Sequence, residues 1–333
     1  MKTSTVYGAA LRALAFAGLA LMLRGGEAQA QNFTEEHILL LIDRSGSMQA
    51  VRPSTGRTRF ADAITRARTY SLLPSALPRS YAVWTFEGTT YVKAQDFASA
   101  KVTIATLAKL AVGNGVTPLA YAVCDAVDEL LQHEPGVEAR KVVHLVSDGE
   151  ENSTPPGTLC HGPSSTTAWP NLAVDSWQWK VRNMLKTGDP LRDSAAPFRL
   201  VFDVDVFANQ LTFAGSGEPV REDSGTERPE ESMSATLPPA YLAFLSGVST
   251  ASGGTYMPIS DTSPMPVYGD TNQDYCVDGT DYNLVLSNYG HRVPPANPAA
   301  DVNGDRVVDY ADYSIVVNNQ GTGCRTKPPT FEQ

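Results

Sequence analysis

Between residues 37 and 260 the sequence alternates short apolar runs with longer amphipathic stretches. Three of the apolar runs are almost continuous, as expected for parallel strands that are covered on both faces of a sheet. The predicted strands are residues 37–42, 81–86, 141–147, 198–207 and 255–259. The predicted helices between them are residues 60–73, 100–110, 118–132, 171–186 and 239–249. This alternation is typical of a doubly wound α/β fold with a mostly parallel sheet.

The first 30 residues have the pattern of a signal peptide. Lys2 precedes an apolar stretch at 11–23, and Ala28 and Ala30 form a small-x-small cleavage site. The apolar stretch is too short to span a bilayer as a helix, which disfavours the alternative of an N-terminal membrane anchor. We therefore expect cleavage after Ala30, a mature chain without a transmembrane segment, and secretion, with the periplasm and the cell surface as further destinations.

The pattern changes at two places in the rest of the chain. Residues 209–236 are rich in Gly, Ser, Pro, Glu and Arg, which predicts an exposed insertion, with a ligand-facing flap as the alternative. Residues 261–267 form a Pro-containing linker between an α/β domain at 31–260 and a small module at 268–324, which a tail at 325–333 follows. Within the module a segment returns after 31 residues with its Asp, Asn, Val, Tyr and Gly in register.

Charge and cysteine content narrow the function classes. The formal net charge is −10, which argues against nucleic-acid binding, because phosphates require basic patches.

Four cysteines in an exported chain favour disulfide bonds. Sequence locality prefers Cys124 with Cys160 and Cys276 with Cys324, although four cysteines permit three pairings. Free buried thiols are the alternative.

Polar residues that suit a divalent cation follow two of the predicted strands. Asp43, Ser45 and Ser47 form a D-x-S-x-S motif directly after the first strand, and Asp148 ends the strand at 141–147. Thr117 lies before a helix predicted to start at Pro118. In a doubly wound sheet, ligands bind at loops beyond the carboxyl ends of the strands. Taken singly, these residues are ordinary turns and helix caps; their joint placement favours a cation site.

These five residues resemble the metal-ion-dependent adhesion site of a von Willebrand factor type A (VWA) domain, over residues 35–260. The resemblance implies that Ser45, Ser47 and Thr117 present hydroxyls to Mg²⁺ or Mn²⁺, while Asp43 and Asp148 act largely through coordinated water. It also implies a protein partner that offers an acidic side chain to the ion. Hard oxygen ligands and exchangeable water are what Mg²⁺ prefers.

Each copy of the internal repeat has the ligand spacing of a twelve-position calcium loop. The side chains fall at positions 1, 3, 5, 9 and 12, and a backbone carbonyl falls at position 7. The first loop comprises Asp270, Asn272, Asp274, Cys276 (carbonyl), Asp278 and Asp281. The second comprises Asp301, Asn303, Asp305, Val307 (carbonyl), Asp309 and Asp312. Helices are predicted at 282–288 and 313–319, each closed by a glycine, which makes the module all-α with two Ca²⁺ ions.

The duplicated loops resemble a type I dockerin, an EF-hand-like module that docks onto cohesin domains. Two features depart from that pattern. Position 6 is Tyr275 or Arg306 instead of the usual glycine, and positions 10 and 11 differ between the copies. The resemblance therefore implies calcium binding more strongly than a cohesin partner. A module of this size has a small core, so we expect calcium and a Cys276–Cys324 bond to stabilise it.

The sequence contains no recognisable catalytic arrangement. None of the five histidines lies in H-E-x-x-H or has a partner at zinc-ligand spacing, and His37 and His144 are interpreted as core residues of strands. Nucleophile-elbow, P-loop and dinucleotide motifs are also missing. We predict a non-enzymatic binding or adhesion protein. One alternative is an extracellular structural component whose metal sites serve stability. A less favoured alternative is a metal-assisted hydrolase.

Overall fold

The computed structural model describes residues 33–73, 75, 77–209, 237–262, 267–272, 274, 276–293, 295–302, 307–322 and 324. The elements described below belong to one unit that begins at Thr34. The predicted signal peptide, the insertion beyond Asn209, most of the linker and the C-terminal tail lie outside the described residues.

Six strands form one sheet in the order β3-β2-β1-β4-β5-β6. They are β1 (Glu35–Asp43), β2 (Arg79–Glu87), β3 (Thr90–Ala98), β4 (Ala139–Ser147), β5 (Val201–Ala208) and β6 (Tyr256–Ser260). β1 pairs in parallel with both β2 and β4, and β5 and β6 continue the parallel pairing. β3 pairs antiparallel with β2 at the edge. The strand order reverses at β1, which confirms the doubly wound, mostly parallel sheet.

Helices cover both faces of this sheet. They are α1 (Arg59–Ser71), α2 (Ala100–Leu107), α3 (Leu119–Gln132), α4 (Trp177–Thr187) and α5 (Pro239–Ser252). Successive β1 side chains alternate between two clusters, Leu39 and Leu41 packing with α3 to α5, and Ile38 and Leu40 packing with α1 and α2. This alternation explains why the central strands are apolar throughout. No helix in the described part of the chain is long and apolar enough to span a bilayer.

Several predicted boundaries are wrong. The antiparallel strand β3 was not predicted, because its mixed polar sequence and largely exposed side chains lack the signature of a buried strand. The helix predicted from residue 171 begins at Trp177, where Ser176 caps it by accepting from the Trp179 N–H. Pro118 is the N-cap of α3 and not its first residue, and α2 ends at Leu107 instead of residue 110.

The C-terminal segment contains two helices, α6 (Gly279–Asn288) and α7 (Tyr310–Asn318), that begin three residues before the predicted starts. Each begins with a capping box, in which Asp278 or Asp309 is the N-cap and Asp281 or Asp312 is the third helical residue. A cluster of six buried apolar residues lies among the described parts of this segment. They are Val277, Val285, Ala296, Ala300, Val308 and Val316.

Tyr268 packs the start of this segment against the α/β domain. Its ring contacts the apolar cluster beneath α1, and the Arg66 guanidinium lies 5.2 Å from the ring centroid. Arg66 also forms a buried ion pair with Asp205 on β5, with Nε to Oδ2 at 2.7 Å. One arginine of α1 therefore contacts both the sheet and the beginning of the C-terminal segment.

Candidate metal centres

The cation site predicted in the α/β domain lies where the strand order reverses. Asp43 ends β1, and Asp148 directly follows β4, the neighbouring strand. The Ser147 hydroxyl donates to Asp43 Oδ2 at 2.7 Å, which ties the ends of the two strands together. The crevice at such a reversal is where doubly wound folds place ligands, because the flanking loops diverge to opposite faces.

A short loop brings the two motif serines over this point. Asp43 Oδ1 accepts from the Ser45 backbone N–H at 2.7 Å, and a 3₁₀ turn, Gly46–Gln49, follows. The Ser45 and Ser47 hydroxyl oxygens lie 3.1 Å apart, and the Ser47 hydroxyl donates to Asp148 Oδ1 at 2.7 Å. Both oxygens of Asp43 are thus engaged in holding the loop, while the serine oxygens face Asp148.

Thr117 reaches the same place from the segment before α3. A Cβ added to Gly149 would lie 2.9 Å from Thr117 Oγ1, so the glycine is required for this close approach. Ser45, Ser47, Thr117 and Asp148 line one open cleft of about 560 Å³, and Asp43 lies buried behind them. The structure therefore brings all five predicted residues together.

The two carboxylates share a buried environment. Burial, and then the charge of Asp148, raise the pKa of Asp43 to about 7. Burial also raises the pKa of Asp148, although Arg59 acts in the opposite direction. The Arg59 Nη1 donates to Asp148 Oδ2 at 2.7 Å, and the rest of its guanidinium pairs with Asp261, just after β6.

The donor set fits a small hard cation. An octahedral Mg²⁺ with bonds of about 2.0–2.1 Å separates neighbouring ligand oxygens by about 2.9 Å. The Ser45–Ser47 and Ser47–Asp148 oxygen separations, 3.1 and 2.7 Å, bracket that value. All five residues offer oxygen, the ligand atom that Mg²⁺ and Mn²⁺ prefer.

Sequence reasoning missed the residues that support the site. Arg59, the first residue of α1, gave no signal, because its partner Asp261 lies 202 residues away. Glu151 and Asn152, in the loop after Asp148, have no motif of their own but hold the loops of the site. Asn152 Oδ1 accepts from the Thr117 N–H at 2.8 Å, and Glu151 Oε2 accepts from the Ala120 N–H at 2.6 Å. The acidic side chain thereby satisfies an unpaired N–H in the first turn of α3.

The first predicted calcium loop is described at all its predicted ligand positions. Carboxylate oxygens of Asp270, Asp274 and Asp281 lie within 4.8 Å of one another. The buried Asp281 accepts from the Thr271 N–H at 2.7 Å and from the Asp278 N–H at 2.9 Å. Three converging carboxylates fit a calcium ion, which takes six to eight oxygen ligands.

The second loop repeats the part of this geometry that is described. Asp312 Oδ1 accepts from the Val302 N–H at 2.7 Å, and Oδ2 accepts from the Asp309 N–H at 2.8 Å. Asn303 and Asp305, together with positions 6 of both loops, lie outside the described residues. In the part of the second loop that the structure describes, Asp312 therefore accepts the same backbone hydrogen bonds as Asp281 does in the first loop.

Both sequence-local cysteine pairs are bonded. Cys124 of α3 joins Cys160 in the segment before α4, and Cys276, at position 7 of the first predicted calcium loop, joins Cys324. The second bond lies beside the hydrogen bonds between Val277 and the backbone at 321–322. It therefore connects the first calcium loop to the chain that follows α7.

No protein-family model matches the sequence, and no curated protein matches it either. Solved structures to which the chain is similar include VWA domains. One is the SpRpn10 VWA domain, with 10% identity and a TM-score of 0.41 over 69% of this chain and 90% of that one. Another is an aerotolerance-related membrane protein from Bacteroides fragilis, with 12% identity and a TM-score of 0.39 over 68% and 92%.

A third similar structure is proximal thread matrix protein 1 from the mussel byssus, described with a zinc-occupied adhesion motif. It has 13% identity and a TM-score of 0.40 over 69% of this chain and 42% of that one. At such identities and scores the likeness carries no argument about function. The proposals below therefore depend on the chain's own geometry.

Proposed function

We propose that the protein is a secreted, non-catalytic binding protein that captures an acidic partner through a divalent cation, Mg²⁺ or Mn²⁺. One observation carries the proposal. Three separate loops bring five oxygen-bearing residues together at the reversal of the sheet, as the VWA-like motif requires, with four lining an open cleft and one buried behind them. They are Asp43, Ser45, Ser47, Thr117 and Asp148.

The residues divide into ligands and supports. Ser45, Ser47 and Thr117 would offer neutral hydroxyl oxygens, and Asp148 would balance part of the ion's charge directly or through water. Asp43 orders the loop through its bonds to the backbone of Ser45 and to Ser147. When bound, the ion supplies an open coordination position that a partner's carboxylate can take in place of water. Neutral hydroxyls leave the ion strongly charged, which favours such an anionic ligand.

For the C-terminal segment we propose a dockerin-like module that binds two Ca²⁺ ions and serves tethering or assembly. The paired capping boxes and the equivalent bonds of Asp281 and Asp312 support two related loops. The copies differ at positions 10 and 11 of the loop. We therefore do not extend the proposal to a cohesin partner.

The adhesion proposal is tested with the purified protein in a buffer that keeps Ca²⁺ saturating, because a chelator would also strip the C-terminal loops. Mn²⁺ binding is followed by electron paramagnetic resonance, and partner capture from native extracellular extract is followed with and without Mg²⁺. The variant is Ser47→Ala. Its matched control is Ser99→Ala. Ser99 is an exposed serine between β3 and α2, at the end of the sheet away from the cleft, and its side chain makes no cap bond to the helix.

We expect Ser47→Ala to lose Mn²⁺ binding and Mg²⁺-dependent capture, while Ser99→Ala keeps both. If Ser47→Ala binds Mn²⁺ like the wild type, the cation is not held at this cleft. If the variant loses the ion but captures the same proteins, the metal serves stability, and the structural role becomes the better description.

A further inference from the structure

We propose a second, chemically different metal site at the opposite end of the central strand β1, formed by His37, His133 and Glu134, with Glu35 beside them. The site would take a divalent transition metal of the zinc class. It does not depend on the function proposed for the cleft. His37 lies near the start of β1, six residues before Asp43, so the two sites are roughly 20 Å apart along the strand.

Three potential ligand atoms already converge there. One nitrogen or carboxylate oxygen from each of His37, His133 and Glu134 lies within 4.8 Å of the other two. His37 Nε2 is 3.0 Å from a carboxylate oxygen of Glu35 and 3.4 Å from one of Glu134. A tetrahedral zinc with bonds of about 2.0 Å separates its ligand atoms by about 3.3 Å. The carboxylates therefore stand at about ligand spacing from His37 Nε2 without rearrangement.

The composition of the cluster suits zinc and not the cations proposed elsewhere in the chain. Imidazole nitrogen is a ligand for Zn²⁺, Ni²⁺ and Cu²⁺, whereas Mg²⁺ and Ca²⁺ prefer oxygen. Two neutral imidazoles and two carboxylates would balance the charge of one divalent ion. That balance matters because His37 is only 1% exposed, and uncompensated charge is costly at a buried position.

The surrounding contacts hold the second histidine in place. His133 is the C-cap of α3, and Lys141 of β4 donates to the carbonyl oxygens of Leu130 and His133 at 2.6 and 2.8 Å. The Phe97 ring stacks on His133 with centroids 3.8 Å apart. The end of α3 and the imidazole are thus positioned by neighbours that are not ligands, as support residues do in metal sites.

One feature is poorly explained by a purely structural role. Carboxylate oxygens of Glu35 and Glu134 lie 3.0 and 3.4 Å from the same Nε2 atom of His37, and only the first distance is that of a normal hydrogen bond. A metal at Nε2 would engage both carboxylates at once.

Access from solvent is open on one side. The side chains of Glu35 and Glu134 are 31% and 53% exposed, while the His37 side chain is 2% exposed. A metal can therefore approach past the glutamates and be held by the histidines beneath them. Once bound, it would connect the start of β1 with the end of α3.

The test is a titration of the purified protein with Co²⁺, a spectroscopic substitute for Zn²⁺, in saturating Mg²⁺ and Ca²⁺. Four-coordinate Co²⁺ with imidazole ligands gives strong visible bands, whereas octahedral oxygen sites give weak ones. The variants are His133→Ala and Glu134→Gln. The controls are His161→Ala and Glu138→Gln, which change one exposed residue of the same type.

We expect the wild type and both controls to show the strong bands and to release the cobalt to Zn²⁺. His133→Ala should lose the bands, and Glu134→Gln should weaken binding at least tenfold. Circular dichroism verifies that each variant is folded. If His133→Ala does not fold, Glu134→Gln still tests the proposal, because Glu134 is partly exposed and its substitution should not disturb the fold. The proposal is wrong if the bands are absent from the wild type, or if they survive both variants. It is also wrong if they disappear in Ser47→Ala, which would assign the cobalt to the cleft.

Discussion

The α/β domain and the C-terminal segment both contain a predicted metal centre, but they support it in different ways. In the α/β domain, large apolar clusters on both faces of the sheet position the strands whose ends carry Asp43 and Asp148. In the C-terminal segment the described apolar cluster has six residues, and Asp281 and Asp312 occupy the interior instead. A core of that size contributes little stability by itself.

The consequence is a difference in what the metal does for each region. In the α/β domain, packing sets the positions of the site residues, so we expect the proposed cation to serve binding and not folding. In the C-terminal segment, buried carboxylates form part of the core, so we expect the proposed calcium ions to be coupled to folding.

The largest expected effect comes from replacing both Cys276 and Cys324 with Ser. The bond closes a loop of 48 residues, which stabilises the folded state by about 4 kcal/mol in the chain-entropy model. We expect α6 and α7 to lose protection from hydrogen exchange, while β1 and β4 keep theirs. Hydrogen exchange read out by mass spectrometry measures both regions in one experiment.

The matched comparison replaces Cys124 and Cys160 with Ser. That bond closes a loop of 36 residues, so the lost entropic term is also about 4 kcal/mol. The larger core should absorb the loss, with a melting temperature lower by roughly 10 °C and an intact exchange pattern. Equal loss of protection in the two double variants would contradict the comparison.

A smaller effect is expected for Asp281→Asn. The substitution keeps the shape of the side chain but leaves one acceptor oxygen where two now receive hydrogen bonds from Thr271 and Asp278. We expect the C-terminal segment to lose about 2–3 kcal/mol and its calcium affinity to fall at least tenfold. Calorimetric titration with Ca²⁺ measures the affinity. An unchanged titration would show that this loop is not a calcium site, and Asp128→Asn in α3 is the control.

Ser47→Ala should affect cation binding strongly and stability weakly. The hydroxyl bonds to Ser45 and Asp148 at the mouth of the cleft, so its loss costs about 1 kcal/mol of folding free energy. We expect Mg²⁺ affinity to fall at least tenfold, while the melting temperature falls by only a few degrees. A large drop in melting temperature with unchanged Mg²⁺ affinity would show instead that Ser47 serves stability and not cation binding.

The last prediction concerns how the stability of Asp205→Asn depends on pH, since at neutral pH the variant should already be destabilised by loss of the carboxylate that pairs with the buried Arg66. Burial acts to raise the pKa of Asp205, but Arg66 and His144 outweigh it and hold the pKa well below its ordinary range. A carboxyl with a lowered folded pKa contributes stability above its unfolded pKa of about 4 and loses it as the pH falls further. The variant's stability should therefore depend less on pH below about 4, as urea unfolding at several acidic pH values would show. Parallel curves for the two proteins would rule out this role.

Much of the α/β domain was predictable because its signals are local. All five parallel strands contain a predicted apolar run, almost continuous in β1, β2 and β4, and the D-x-S-x-S motif follows β1 directly. The edge strand β3 was missed because an edge strand with exposed side chains has no such pattern. The start of α4 was placed too early because the cap at Ser176 is one of several polar residues in that stretch.

Local reasoning could not find the arginine that supports the cleft or the histidines of the proposed second site. Arg59 contacts Asp148 and Asp261, which lie 89 and 202 residues away. His37 and His133 have no recognisable metal-ligand spacing in the sequence, yet their ring centroids are 4.6 Å apart. Neither pairing follows from periodicity, because only the sheet's strand order brings those positions together.

The sequence by itself determined the class of fold, the motif residues of the cleft and the ligand spacing of the two predicted calcium loops. Alternating hydrophobicity and fixed ligand spacing are properties of contiguous residues, so they can be read along the chain. The tertiary structure decided which buried charges neutralise one another and which imidazoles meet. Those outcomes depend on the pairing of strands and helices distant in sequence, which hydrophobic packing sets and no local pattern records.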